Sequence, residues 1–147
     1  MEKPEVIVTG ANGLIGSKLI SLFADSYRFV TLDLSDPVNP VDITNQSQVL
    51  AALENSTAQF VVHFAAYTDV TGAWKQNNDT TGSAYKINVG GTQNIVDACK
   101  KTGKHLIHIS TAYVFDGNKP QLYTEADPLN PIEWYGKTKA LAEELIT

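Results

Sequence analysis

Four short apolar runs punctuate this chain: EVIVTG (5–10), RFVTLD (28–33), QFVVHFAA (59–66) and HLIHIS (105–110). They are nearly continuous in apolar character rather than alternating, the pattern of strands covered on both faces. Between them lie stretches whose apolar residues recur at helical spacing, such as Leu14, Ile15, Leu19, Leu22 and Phe23 in NGLIGSKLISLFAD. Strands alternating with helices and joined by long connections demand parallel, right-handed crossovers. The expected fold is therefore α/β, a Rossmann-type doubly wound parallel sheet in three α/β/α layers. Thr44 is expected to cap a helix through NQSQVLAALEN, and SAYKINVGGTQNIVDACKK reads as one long helix ending at Gly103. TDVTGAWKQNNDTTG and NKPQLYTEADPLNP read as loops, and IEWYGKTKALAEELI as the last helix.

Within that order the first strand-to-helix turn carries the sharpest signal. VTGANGLIG (8–16) places Gly10, Gly13 and Gly16 after a strand and at the opening of a helix. Glycines there let backbone approach a pyrophosphate, which rests on the free N–H groups and positive dipole of the helix end. The turn as a whole, Gly10, Asn12, Gly13, Leu14, Ile15 and Gly16, is thus a candidate dinucleotide site. Asp33 closes the second strand, where a carboxylate takes ribose hydroxyls and repels a 2′-phosphate. No lysine or arginine follows it closely, so NAD(H) is favoured over NADP(H).

A second constellation stands at the far end. Tyr135 and Lys139, in YGKTK, share a helical face, and a neighbouring ammonium is expected to lower the phenol pKa and ready it for proton transfer. Ser110 and Thr111 fall at the end of the fourth strand, on the sheet edge where open α/β folds bind ligands. A hydroxyl there can steady charge on a reacting oxygen. Lys137, Glu143 and Glu144 read as a charged outer face, and His63, His105 and His108 as structural.

Composition narrows the rest. A net charge of −5, with no basic cluster beyond Lys100–Lys101, argues against nucleic acid. No apolar run reaches the roughly 20 residues of a bilayer span, so no membrane association is expected. Met1-Glu2-Lys3-Pro4 leads straight into the first strand, without the regions of a signal peptide. The single cysteine, Cys99, reads as a buried hydrophobe in a reducing, cytoplasmic setting, and no metal-ligand spacing is present.

Taken together, TGANGLIG, Asp33, VDI (41–43), HFAA (63–66), INVGGTQNI (87–95), STAYVFDG (110–117) and YGKTK (135–139) resemble the extended short-chain dehydrogenase/reductases, the NAD-dependent epimerase/dehydratase family. The resemblance implies a catalytic set of Thr111, Tyr135 and Lys139: Tyr135 as acid/base, Lys139 on the nicotinamide ribose, Thr111 on the reacting oxygen. It implies that Asp42 and Ile43 lie against adenine, that Ala65 and Ala66 pass beside the cofactor, and that Asn88 supports the site. Dehydratases of the family carry an Asp-Glu pair where Ala112 and Tyr113 stand, which favours reduction or epimerisation of a nucleotide-sugar carbonyl over water elimination. The alternative is a non-catalytic, cofactor-binding regulatory subunit of the same fold. The resemblance also leaves open a homodimer through the helix near Asn88 and the YxxxK helix. Family members have a further C-terminal portion that shapes the sugar pocket. Residues 1–147 are accordingly expected to be the NAD(P)-binding domain without it, with apolar surface left exposed on one sheet face.

Overall fold

The computed structural model describes residues 2–146. Four parallel strands form one sheet in the order β2-β1-β3-β4: β1 Glu5–Thr9, β2 Arg28–Leu32, β3 Phe60–His63 and β4 His105–His108. The chain moves outward from β1 to β2 through α1 (Leu14–Phe23), then crosses back over β1 to reach β3 through α2 (Gln46–Glu54). Right-handed crossovers in opposite directions put α1 on one face of the sheet and α2 on the other. α5 (Thr92–Thr102), between β3 and β4, packs beside α2. The doubly wound arrangement read from the sequence is the one observed.

The helices form where the sequence sets them, with three differences. α2 is capped by Asn45, whose side chain accepts from the Gln48 amide, and not by Thr44. Thr44 instead turns its amide and hydroxyl onto Asp42. The polar stretch after β3 holds a short helix, α3 (Val70–Lys75), capped by Asp69 on the Gly72 amide. The long helix is also not uniform: α4 (Ser83–Tyr85) passes into a π-helical turn, Lys86–Gly91, before α5 begins. α5 ends as expected at Gly103 in the left-handed conformation (φ +68°), and α6 (Trp134–Glu144) closes the chain.

The two sheet faces are covered unequally. On the α2/α5 face, Ile7, Val61, Val49, Leu53 and Ile95 are fully buried in one cluster, with Cys99 beside them. Burial pushes the Cys99 thiol up to about 11, which makes it inert at neutral pH. The α1 face is the thin one. Leu14 is 90 % exposed and Leu22 62 %, while Phe60 and Ile107, which point to this face of the sheet, are 44 % and 47 % exposed. The expected exposed apolar surface is therefore present, and the apolar stripe of α1 is mostly open. Among the described residues no helix is long and apolar enough to cross a membrane.

On the covered face a buried histidine ties three elements together. His63 ends β3 with its Nδ1 2.6 Å from the Thr9 hydroxyl of β1 and its Nε2 3.1 Å from the Thr92 hydroxyl of α5. The Ala65 amide donates to the same Thr9 oxygen (3.1 Å). Burial, with His108 and Lys139 nearby, pushes the His63 pKa down to about 3. Unfolded, the ring protonates near 6.5, so below that pH the unfolded chain binds the extra proton and the native state loses ground. Stability is expected to be full at pH 7 and to fall as pH drops below 6.5, by about 2 kcal/mol from His63 alone at pH 5. Thermal melts at pH 7 and pH 5 check this; an unchanged midpoint contradicts it.

Candidate active site

The turn between β1 and α1 is built by close approach. Gly10 sits at φ +64°, and a Cβ on it would lie 2.7 Å from the Ala65 amide nitrogen and 2.9 Å from the Ala65 Cα. Gly16 crosses back over the same turn, where a Cβ would collide with the Gly10 carbonyl oxygen. These contacts press the loop onto the ends of β1 and β3. Gly13 is the N-cap of α1 and offers no side-chain cap, so the first helical N–H groups, starting at Leu14 and Ile15, are available to an anion.

Asp33 fixes the outer wall of this loop. Its Oδ2 accepts from the Asn12 amide (2.9 Å), and its Oδ1 accepts from the Ser35 amide (2.9 Å) and hydroxyl (2.7 Å). The Asn12 side chain donates in turn to the Ser35 hydroxyl at 3.1 Å. Partial burial works to raise the Asp33 pKa, but these donors outweigh it and hold the carboxyl below its usual value. The carboxylate is charged at neutral pH and faces the ligand side of the loop.

Across the sheet edge stands the second constellation. Glu133 caps α6 by accepting from the Tyr135 (2.7 Å) and Gly136 (2.5 Å) amides. Tyr135 is buried edge-on against Tyr113, with ring centroids 5.7 Å apart, and interacts with the Thr111 hydroxyl. Lys139, one turn on, is 4 % exposed. Its Nζ donates to the Ile109 carbonyl (2.7 Å) and lies 3.2 Å from His108 Nε2. Asn88, in the π-helical turn, accepts from the Tyr67 amide (2.7 Å) and donates to the Tyr67 carbonyl and the Thr138 hydroxyl. It thereby clamps the segment after β3 to α6.

The expected effect of Lys139 on Tyr135 is not seen. Burial pushes the Tyr135 pKa up, the Thr111 contact lowers it, and Glu133 and Tyr113 raise it further. The lysine is turned instead to Ile109 and His108, so the phenol keeps its proton at neutral pH. Burial also pulls Lys139 down to about 8, against Glu143, which raises it. Glu143 is not on the outer face as expected: its carboxylate accepts a close hydrogen bond from the Ser110 hydroxyl at the end of β4.

A single cleft of about 680 Å³ joins the two constellations along the carboxyl edge of the sheet. Gly10, Asn12, Gly13, Leu14, Ile15 and Gly16 line one end, and Asp33, Asp42 and Ile43 stand beside them. Ala65 and Ala66 form its floor, while Tyr135 and Lys139 close the other end. Thr111 does not line the cleft and reaches it through Tyr135. Sequence reasoning did not single out Ser35, Ile87 or Ile109 as lining residues, or His108 as a partner of Lys139. Ser35 could have been found from its place two residues after Asp33; the others carry no local signal.

This arrangement, a parallel sheet with a glycine turn, a β2 carboxylate and a Tyr/Lys helix on one cleft, defines the Rossmann-type extended short-chain dehydrogenase/reductase architecture. The chain belongs to the RmlD substrate binding domain family, which it matches over residues 4–147. Its segments AAYTDV, STAYVFDG, YTEADPLNP and YGKTKALAE resemble those of dTDP-4-dehydrorhamnose reductase, and relatives of that name are found. The enzyme of Aggregatibacter actinomycetemcomitans is 36% identical over 143 residues, covering 96% of this chain and 46% of that protein. The dTDP-4-dehydrorhamnose reductase of Bacillus anthracis, solved in complex with NADP, superposes with a TM-score of 0.88 at 36% identity, over 99% of this chain and 50% of that one. UDP-glucose 4-epimerase from Brucella ovis, in complex with NAD, gives a TM-score of 0.86 at 30% identity, over 97% of this chain and 46% of that one. The chain spans about half the length of the curated relatives it matches.

The Gly10 turn provides its own test. Gly10→Ala is expected to cost about 3 kcal/mol, since it combines a left-handed residue with a backbone clash. Urea denaturation reads this out; a change under about 0.5 kcal/mol contradicts the close approach to Ala65.

Proposed function

We propose that this chain holds the nicotinamide cofactor and the catalytic Thr111, Tyr135 and Lys139 of a reductase acting on a nucleotide-sugar carbonyl, of the dTDP-4-dehydrorhamnose reductase kind. The observation that carries the reading is the one cleft shared by the uncapped glycine turn, Asp33, Tyr135 and Lys139. Its residues fit a dinucleotide: an uncapped helix end for the pyrophosphate, a carboxylate for a ribose, and an ammonium and a phenol at the opposite end. When bound, the nicotinamide supplies hydride. Tyr135, kept neutral by burial, donates the proton to the carbonyl oxygen as it gains charge. Thr111 hydrogen-bonds at the same oxygen, and Lys139 holds the nicotinamide ribose.

Asp33 is the residue that decides between the two dinucleotides seen among the relatives. Its charge opposes a 2′-phosphate, so NADH is expected to bind at least about tenfold tighter than NADPH. Asp33→Ala narrows the gap. Fluorescence titration of the chain with each cofactor measures this, and equal affinities in the unaltered chain overturn the assignment. In the whole protein, Tyr135→Phe is expected to lower turnover by about a hundredfold or more while cofactor affinity is kept. Undiminished turnover removes Tyr135 from the catalytic role.

A further inference from the structure

Lys139 is held from below by a group that the reading of the site leaves without a task. His108 ends β4 on the covered face of the sheet, its ring 5.4 Å from that of His63 and its Nε2 3.2 Å from Lys139 Nζ. An ammonium can only donate, so Nε2 must accept and the ring proton sits on Nδ1. That Nδ1 is buried and has no hydrogen-bond partner among the described residues. An imidazole that leaves one nitrogen unsatisfied to present the other to a lysine gives up a hydrogen bond that a different residue would not forfeit. The Ile109 carbonyl takes a second N–H of the same ammonium at 2.7 Å.

We propose that His108 is a positioning residue for Lys139: its Nε2 and the Ile109 carbonyl fix two of the three N–H bonds of the ammonium, turning the third into the cleft toward the nicotinamide ribose. The inference rests on the cofactor reading above and adds to it the origin of the lysine's aim. A lysine stem has four flexible carbons and no preferred direction. One acceptor would leave the ammonium free to swing; two acceptors on adjoining residues of one strand end do not.

The charged and titratable groups around Lys139 agree with this role. His108 faces it from β4 and His63 lies behind His108 on β3, both held neutral: His108, at about 4, by burial and then Lys139, and His63, at about 3, by burial and then His108 and Lys139. Glu143 and Tyr135 flank the lysine on α6 itself. In this column of basic groups Lys139 alone carries charge at neutral pH. His108 thus serves it as an acceptor and not as a second cation.

Three variants separate positioning from packing. His108→Gln can place its amide oxygen near the position of Nε2, whereas the shorter His108→Asn reaches only to the position of Nδ1. His108→Leu keeps bulk and removes the acceptor. Lys139 is followed by the 13Cε resonance as pH is raised, a measurement that needs no cofactor. It is expected to titrate near 8 in the unaltered chain and in His108→Gln, and about one pH unit lower in the Asn and Leu variants, where the buried ammonium has lost a partner. NADH affinity is expected to fall about five- to tenfold in the Asn and Leu variants only, with ADP, which lacks the nicotinamide ribose, binding as before. An unchanged Lys139 titration in His108→Leu overturns the proposal, as does equal weakening of NADH and ADP. If the unaltered chain binds no dinucleotide, the cofactor reading fails, while the titration still decides whether His108 holds Lys139.

Discussion

No side chain fits between the end of β1 and the backbone that leaves β3. Gly10 meets Ala65 at a distance where even a methyl group would overlap two backbone atoms. Everything on the ligand side of the sheet follows from that contact. The turn is flattened onto the strand ends, α1 starts at Leu14 behind its Gly13 cap with its first N–H groups bare, and Asn12 is placed where Asp33 can hold its amide. A wider turn would lift the helix end away from Ala65 and Ala66 and divide the cleft. The parallel order of the strands does the rest, since it gathers four strand ends on one edge.

Beneath that edge the covered face solves an electrostatic problem. His63, His108 and Lys139 rise in a line from the core toward the cleft, and three buried cations could not coexist there. The two histidines give up their charge and spend their nitrogens as hydrogen-bonding partners, His63 to Thr9 and Thr92, His108 to the lysine. The lysine keeps its charge at the rim, with two acceptors and Glu143 nearby. The core thereby supports the site electrically as well as mechanically. Among the described residues the opposite face has no comparable layer, and Leu14, Leu22, Phe60 and Ile107 remain open on it.

Much of this was legible from local pattern. The strands announce themselves by unbroken apolar runs, and the glycine turn by its position between strand and helix. Thirteen residues named for the cofactor all line one cleft: Gly10, Asn12, Gly13, Leu14, Ile15, Gly16, Asp33, Asp42, Ile43, Ala65, Ala66, Tyr135 and Lys139. What the pattern could not carry is direction between elements. Glu143 has the sequence context of a solvated face, yet α6 lies close enough to β4 for it to accept from Ser110. Tyr135 and Lys139 share a helical face, but the lysine reaches down to β4, so the phenol is governed by burial and not by the ammonium. Thr44 and Asn45 are both good caps; Asp42 captures the first and leaves the second to α2. Helix α3 hides in a polar stretch because its stability comes from Asp69 and from contact with α6 rather than from an apolar stripe.

The central claim is that one dinucleotide spans the cleft from the glycine turn to Lys139. Amide chemical-shift mapping of the isotopically labelled chain with NADH tests it most directly. The account predicts perturbations along the whole cleft, at the amides of Gly13 to Gly16, at Asp33 and Ser35, and at Tyr135 and Lys139. Perturbations confined to the open face of α1 around Leu22 and Phe23, or absent at saturating NADH, would contradict it.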